Sequence, residues 1–163
     1  MLHIVGFWRP YESHGYLGQW YPSVFKDTTE VVYCCAEQYM MAEKAKLFND
    51  GATRQKILKT QDPKVIKALG RRVAGFKQEV WDQYKFEIVI QANMFKFSQN
   101  TEFKERLLAT GDALLVELSP LDKIWGVGTT SPDPAQWQGQ NLLGKALMEV
   151  RDRLRIQQQN KLR

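Results

Sequence analysis

A glutamate and a lysine, Glu37 and Lys44, are the residues of this chain best placed to do chemistry. On a helix of about 100° per residue they fall within about 20° of one another. They share that stripe with Met40, Met41, Leu47 and Phe48, while the surface-type residues Gln38, Glu43 and Lys46 lie elsewhere on the wheel. Charges on a core-facing stripe are costly unless they are paired or used. Two turns, about 10.5 Å of axis, separate the pair. Lys44 leans back toward Glu37, because helical side chains tilt toward the N-terminus, so a ligand atom fits between their tips. A carboxylate and an amine in one apolar cleft shift each other's pKa: the pair favours both charges and desolvation favours both neutral forms. Acid–base and Schiff-base sites are built this way. A structural ion pair, or a lysine snorkelling past the apolar edge, is the other reading of the same spacing.

Two further stretches carry candidate chemistry. Ser119–Gly128 (SPLDKIWGVG) follows a strand candidate, where loops commonly hold function. There Asp122 can orient a ribose hydroxyl or a water, Trp125 can stack on a base or ribose, and Gly126 and Gly128 admit backbone N–H groups close to a phosphate. The same residues also make an ordinary turn with a buried Trp anchor. Earlier, Phe7, Trp8, Tyr11, Tyr16, Trp20, Tyr21 and Phe25 crowd seven aromatics into residues 7–25. Stacking contributes about 1–3 kcal/mol per base, and Trp20 and Tyr21 are the candidates for it; a small domain also needs large aromatics to fill its core.

The elements that must position these residues follow from pattern. Gly15, Gly18, Pro10 and Pro22 make residues 7–25 short strands and turns, and Glu30–Cys35 (EVVYCC) a strand. Helices are expected at 36–49 and 52–60, with a third opening at Asp62-Pro63, an N-cap followed by a first-turn proline. Residues 78–98 are apolar on two stripes, Trp81, Tyr84, Ile88, Ala92 and Phe95 on one and Phe86, Ile90, Met94 and Phe97 on the other, so this helix should cross the core. A short helix at 101–110 stops at Gly111. Leu114–Leu118 reads as a strand and 120–140 as a loop. A last helix at 141–158 buries Leu143, Ala146, Leu147, Val150 and Leu154. The class is α+β: a mainly helical single domain with a small β-sheet.

The bulk properties exclude other functions. A chain of 163 residues fits one domain, burying about 68–70% of its unfolded surface. It has no apolar run of the about 20 residues a membrane span needs, and Met1–Gly6 lacks the basic flank of a secretory signal, so a cytoplasmic or nuclear location without membrane partners is expected. The only two cysteines, Cys34 and Cys35, are adjacent; neighbours pair rarely, because the link strains the peptide between them. No CxxC or zinc spacing occurs, and His3 and His14 lie away from the acidic candidates, so neither metal nor cofactor is expected. Of the net charge of +5, +4 falls in residues 151–163, where Arg151, Arg153, Arg155, Lys161 and Arg163 stand against Asp152. Such an end reads as a solvated face with a weak capacity for phosphate backbones.

Taken in order, Phe7-Trp8, Leu17-Gly18-Gln19-Trp20-Tyr21-Pro22-Ser23, Ala36-Glu37-Gln38-Tyr39-Met40 with Ala42 and Lys44, Leu69-Gly70-Arg71, Gly75-Phe76, Trp81, Lys96-Phe97, Thr110-Gly111, Glu117, Asp122, Trp125-Gly126-Val127-Gly128, Asn141 and Gly144 resemble the NADAR (YbiA-like) family from Phe7 to about Leu154. The resemblance implies a hydrolase of ribose C1–N bonds: known members act on ribosylaminopyrimidine phosphates of riboflavin biosynthesis, or remove ADP-ribose from guanine in nucleic acid. It implies that Lys44 attacks C1 of the opened ribose to form a Schiff base and that Glu37 serves as general acid and base. Asp122 joins them as a catalytic candidate, with Phe7, Gln19, Trp20, Tyr21, Trp81, Trp125, Gly126 and Asn141 as substrate-binding candidates. The catalytic domain is expected to span residues 1–158, as a monomer, with a basic tail at 159–163. Two departures from the family stand out: Cys35 replaces the Ser or Thr that caps the helix, a cap worth about 1 kcal/mol, and Gln19-Trp20-Tyr21 replaces Ser-Asn-Phe, which bears on substrate choice. Three readings follow: removal of ADP-ribose from guanine in DNA or RNA, cleavage of ribosylaminopyrimidine phosphates, or a non-catalytic ADP-ribose-binding module.

Overall fold

Asp27 organises the first hairpin. One of its carboxylate oxygens accepts from Thr29 N, Thr29 Oγ1 and Val31 N, and the other from the Tyr33 hydroxyl at 2.9 Å. Glu30 takes a positive φ of 71° at the turn. The chain's first strand is β1 (Ile4–Phe7); the hairpin strands that follow, β2 (Phe25–Lys26) and β3 (Val32–Tyr33), are short and paired antiparallel. The expected strand at 30–35 is thus trimmed from both ends, by the left-handed Glu30 and by Cys35, which is already the N-cap of the next helix.

That helix, α1 (Ala36–Leu47), packs against α2 (Gly51–Leu58), α3 (Pro63–Gly70) and α4 (Gln78–Gln99). All residues from Ala36 to Ala42 are buried. The expectation of one apolar stripe with Gln38 on the solvent side is therefore corrected: Gln38 is only 3% exposed. A glutamine is tolerated there because its amide is saturated. Its Oε1 accepts from Cys34 N at 2.7 Å, and its Nε2 donates to Ile57 O at 3.0 Å and Thr60 O at 2.9 Å. The first bond resembles half of a capping box and helps the helix start despite a Cys35 side chain that makes no cap bond. The other two take up carbonyls at the end of α2, where a helix leaves acceptors without intrahelical partners.

Asp50 caps α2 through Thr53 N and also accepts from Ala74 N at 2.8 Å. Asp62 caps α3, as its position before Pro63 predicts. Gly70 lies directly against Met41 of α1, where any Cβ would collide with the methionine side chain. Of the two stripes expected on α4, Trp81, Ile90, Ala92 and Phe97 are buried, Phe86, Ile88, Met94 and Phe95 are half-buried and Tyr84 is 50% exposed, while Val89, Asn93 and Lys96, which neither stripe included, are buried as well.

Residues 22–99 make one compact unit, and the residues up to Tyr21 together with Asn100–Arg163 make a second; the computed structural model describes residues 2–163. In the second unit β1 pairs parallel with β4 (Leu114–Glu117), Phe7 standing opposite Glu117. Parallel neighbours cannot be joined by a tight turn, and here most of the chain intervenes. α6 (Leu142–Lys161) covers β4 and buries Leu143, Ala146, Leu147, Val150 and Leu154, the stripe read from the sequence. α5 (Thr101–Ala109) ends before Gly111, whose φ is +62°. Two arginines of α6 serve that end: Arg151 donates to Thr110 Oγ1 at 2.9 Å and Arg155 to Gly111 O. Cations there complement the negative end of the helix. Arg155 also pairs with Asp112 and Asp152, and Arg153 with Glu149. Three of the five basic residues expected to form a solvated face are therefore engaged in holding α6 and its neighbours. The structure is a helix-rich α+β fold, its strands divided between two pairs rather than joined in one sheet.

Gln38→Leu should destabilise the protein by about 1–3 kcal/mol, the cost of leaving buried backbone groups without a partner. Urea unfolding measures this, and an unchanged midpoint would show that the three hydrogen bonds are dispensable.

Candidate active site

In the 22–99 unit, Glu37 and Lys44 occupy α1 as the helical spacing requires. Glu37 is buried and Lys44 is half-buried. The lysine does not simply snorkel to water. Its Nζ lies 4.6 Å from the centroid of the Phe76 ring and 5.5 Å from that of Trp81, within the range of cation–π attraction. Phe76 is in turn held edge-on to Phe48 at 5.3 Å. Phe48 is four residues beyond Lys44 and so shares its side of the helix. Phe76 arrives from the segment between α3 and α4, just after Gly75, whose φ of +73° lets the chain turn there.

Burial is the first cause of a lowered Lys44 pKa; the like charge of Arg71 lowers it too, while Glu37 opposes them by favouring the ammonium. The amine therefore has access to its neutral, nucleophilic form at lower pH than an ordinary lysine. A second lysine, Lys96 of α4, is fully buried, and burial pulls it down to about 7 with Cys35 opposing. Trp81 is brought to Lys44 as a wall of the amine's surroundings. Phe76, Phe48 and Arg71 were not among the candidates: Phe48 was legible from its spacing to Lys44, whereas Phe76 and Arg71 meet the lysine only through the packing of α3 and the loop after it.

In the second unit, much of the candidate set is scaffold. Asn141, buried with a left-handed φ of 53°, uses its Oδ1 to accept from Glu117 N at 3.0 Å and its Nδ2 to donate to Leu115 O at 2.9 Å. Its amide clips the start of α6 to β4. Asp122 Oδ1 accepts from Ile124 N and Trp125 N at 2.9 and 2.8 Å, so one of its oxygens shapes the turn. Gly128 N donates to Asp122 O and Val127 N to Glu117 O, which removes both from the set of N–H groups expected to approach a phosphate. The carbonyls of Ile124, Trp125 and Gly126 accept from Leu142, Leu143 and Asn141 N respectively. Buried Gly126 lies so close to the Asp122 and Glu117 carbonyls that a Cβ would sit 2.9 Å from each.

The aromatic stretch divides as well. Phe7 and Tyr16 are core, Tyr16 lying beneath Arg106 at 3.9 Å. Gln19, Trp20, Tyr21 and Trp125 are half-buried, and Tyr21 is held edge-on to Phe103 at 5.4 Å. Arg9 stacks on Trp8 at 4.1 Å and donates to the Tyr11 hydroxyl.

The site thus sets a buried carboxylate and a half-buried amine on one helix, the amine walled by aromatic rings. The model of the NADAR domain matches residues 6–155. An N-glycosidase of Acanthamoeba polyphaga mimivirus is 46% identical over 143 residues, covering 82% of this chain and 84% of the relative. A riboflavin biosynthesis protein of Vibrio vulnificus is 32% identical over 154 residues, which are 94% of this chain but 39% of that protein. The NMR structure of the Escherichia coli protein YbiA superposes with a TM-score of 0.82 at 29% identity, covering 97% of this chain and 89% of the other. This chain belongs to the NADAR family and is an enzyme of the N-glycosidase class. Among the described residues no helix is long and apolar enough to cross a membrane.

Amine labelling reads the Lys44 environment without a substrate. Acylation of Lys44, followed against pH by peptide mass spectrometry, should rise at lower pH than that of exposed lysines. Arg71→Gln removes a like charge, so it should move the rise to higher pH; a midpoint unmoved by that change would remove Arg71 from the site's electrostatics.

Proposed function

We propose that this N-glycosidase removes ADP-ribose from guanine bases of nucleic acid through a Schiff base on Lys44. The observation that carries the reading is the lysine itself: an amine with a lowered pKa, held by two aromatic rings on the helix that also bears a buried glutamate. Glu37 protonates the departing nitrogen as the C1–N bond breaks, while the neutral Lys44 amine bonds to C1 of the opened ribose. The ribose has opened by release of its ring oxygen from C1 as the C4 hydroxyl, so expulsion of the protonated nitrogen leaves C1 and Nζ joined as the iminium. Glu37, now a carboxylate, then takes a proton from the water that adds back to C1, and collapse of that adduct releases the ribose aldehyde and the free lysine. Net consumption is one water per bond cut. Phe76 and Trp81 suit both cationic stages, since the charge stays near Nζ as ammonium gives way to iminium.

Half-buried Gln19, Trp20, Tyr21 and Trp125 are proposed to contact the base and ribose, with Asp122 aiding through the oxygen not used in the turn. Phe7, Gly126 and Asn141 act on substrate through the backbone they position. Residues 1–158 serve as the catalytic domain, and the last turn at 159–163 lies outside it. A second reading, hydrolysis of ribosylaminopyrimidine phosphates, is favoured by the Vibrio relative named for riboflavin biosynthesis.

Incubation with guanine-ADP-ribosylated DNA and, separately, with the ribosylaminopyrimidine phosphate distinguishes the two, with borohydride added to a parallel sample. Release of ADP-ribose together with a reduced adduct on Lys44 is the expected result. Turnover of the pyrimidine alone would move the assignment to flavin metabolism, and no cleavage with no adduct would leave a binding module. Lys44→Ala and Glu37→Gln should abolish turnover while thermal unfolding changes little. A collapse of folding in either would mark the two as a structural pair.

A further inference from the structure

Cys34 and Cys35 lie where β3 gives way to α1, and neither belongs to a disulfide. Their sulfurs are 3.8 Å apart. They differ in surroundings: Cys35, the N-cap, is 1% exposed, whereas Cys34 is half-buried. The two thiols share a hydrogen bond. When Cys34 loses its proton, the Cys35 S–H stabilises the thiolate, and this brings Cys34 down to about 7. Cys35 is pushed far up, first by that same bond and then by burial, with the charge of Glu37 adding to the effect. The accessible sulfur is thus the nucleophile, and a protonated sulfur waits behind it.

We propose that Cys34 and Cys35 form a vicinal dithiol that hydroperoxides oxidise, Cys34 being the sulfur attacked and Cys35 the one that resolves it. The Cys34 thiolate attacks one peroxide oxygen, the O–O bond breaks, and hydroxide or alkoxide leaves, giving a sulfenic acid on Cys34. The Cys35 sulfur then displaces the hydroxyl, its own proton departs with it as water, and an S–S bond joins the adjacent residues. The peroxide is reduced and the two thiols are oxidised, with no further reactant.

The ring so closed contains the peptide between residues 34 and 35, which resists leaving planarity. The flanking backbone is pinned by Ser23 N to Cys34 O at 2.9 Å and by Cys34 N to Gln38 Oε1 at 2.7 Å. Closure therefore strains the start of α1, in whose first turn Glu37 sits. Strained disulfides are the readily reduced ones, so an added dithiol should reopen it.

Treatment of the full chain with hydrogen peroxide, read by intact and peptide mass spectrometry, tests this. The expected result is a loss of about 2 Da within the 34–35 peptide, regained on adding dithiothreitol. Cys35→Ser keeps a good N-cap, so its folding is preserved; there Cys34 should stop at the sulfenic acid, which dimedone captures. Stepwise gain of oxygen on the wild-type cysteines, a disulfide between two chains, or no change under excess peroxide would overturn the proposal. Absence of a dimedone adduct in Cys35→Ser would also overturn it, because Cys34 would then not be the sulfur attacked.

Discussion

The burial of α1 is the constraint on which the 22–99 unit depends. Packed against three other helices, α1 buries every residue from Ala36 to Ala42, so the polar residues of that stretch must be answered from inside the fold, whereas Lys46 near its end is exposed. Gln38 is answered by backbone: it joins the residue before the helix to the end of α2, and with α3 seated on Met41 through Gly70 this sets where the helices lie. A buried amide without these partners would cost about 1–3 kcal/mol. Glu37 is carried into the same interior only one residue away. The fold that secures α1 is therefore also what desolvates the carboxylate.

Lys44 is placed where that enclosure loosens. Opposing effects act on it: desolvation and Arg71 disfavour the charge, whereas Glu37 and the rings of Phe76 and Trp81 favour it. A fully exposed lysine would stay protonated, and one as buried as Lys96 has no solvent-facing reach for a substrate. Half-burial against aromatic faces keeps the amine both accessible and unusually easy to deprotonate, which is what a nucleophilic lysine requires.

The second unit is governed by the start of α6. The first N–H groups of a helix need acceptors, and the carbonyls of 124–126 supply them. The loop that looked most like a phosphate cradle is instead folded around a helix terminus, with Asn141 as its clasp. Its glycines are required because backbone meets backbone at close range, as Gly126 does with Asp122 and Glu117.

What the sequence determined by itself was whatever depends on near neighbours along the chain. Period and caps placed five helices of the described residues to within a few residues and the start of a further one, α3, because Asp62-Pro63, Gly111 and the Leu143–Leu154 stripe act through local geometry. The shared side of Glu37 and Lys44 is likewise a property of one helix. Tertiary structure alone decided the rest. It buried Gln38, which has no apolar signature; it brought Phe76 and Arg71 to Lys44 from another segment; and it engaged Arg151 and Arg155 at the end of α5 instead of leaving them to solvent. In each case the physical reason is the same: a polar side chain's role is set by the partner that satisfies it, and those partners come from segments distant in sequence.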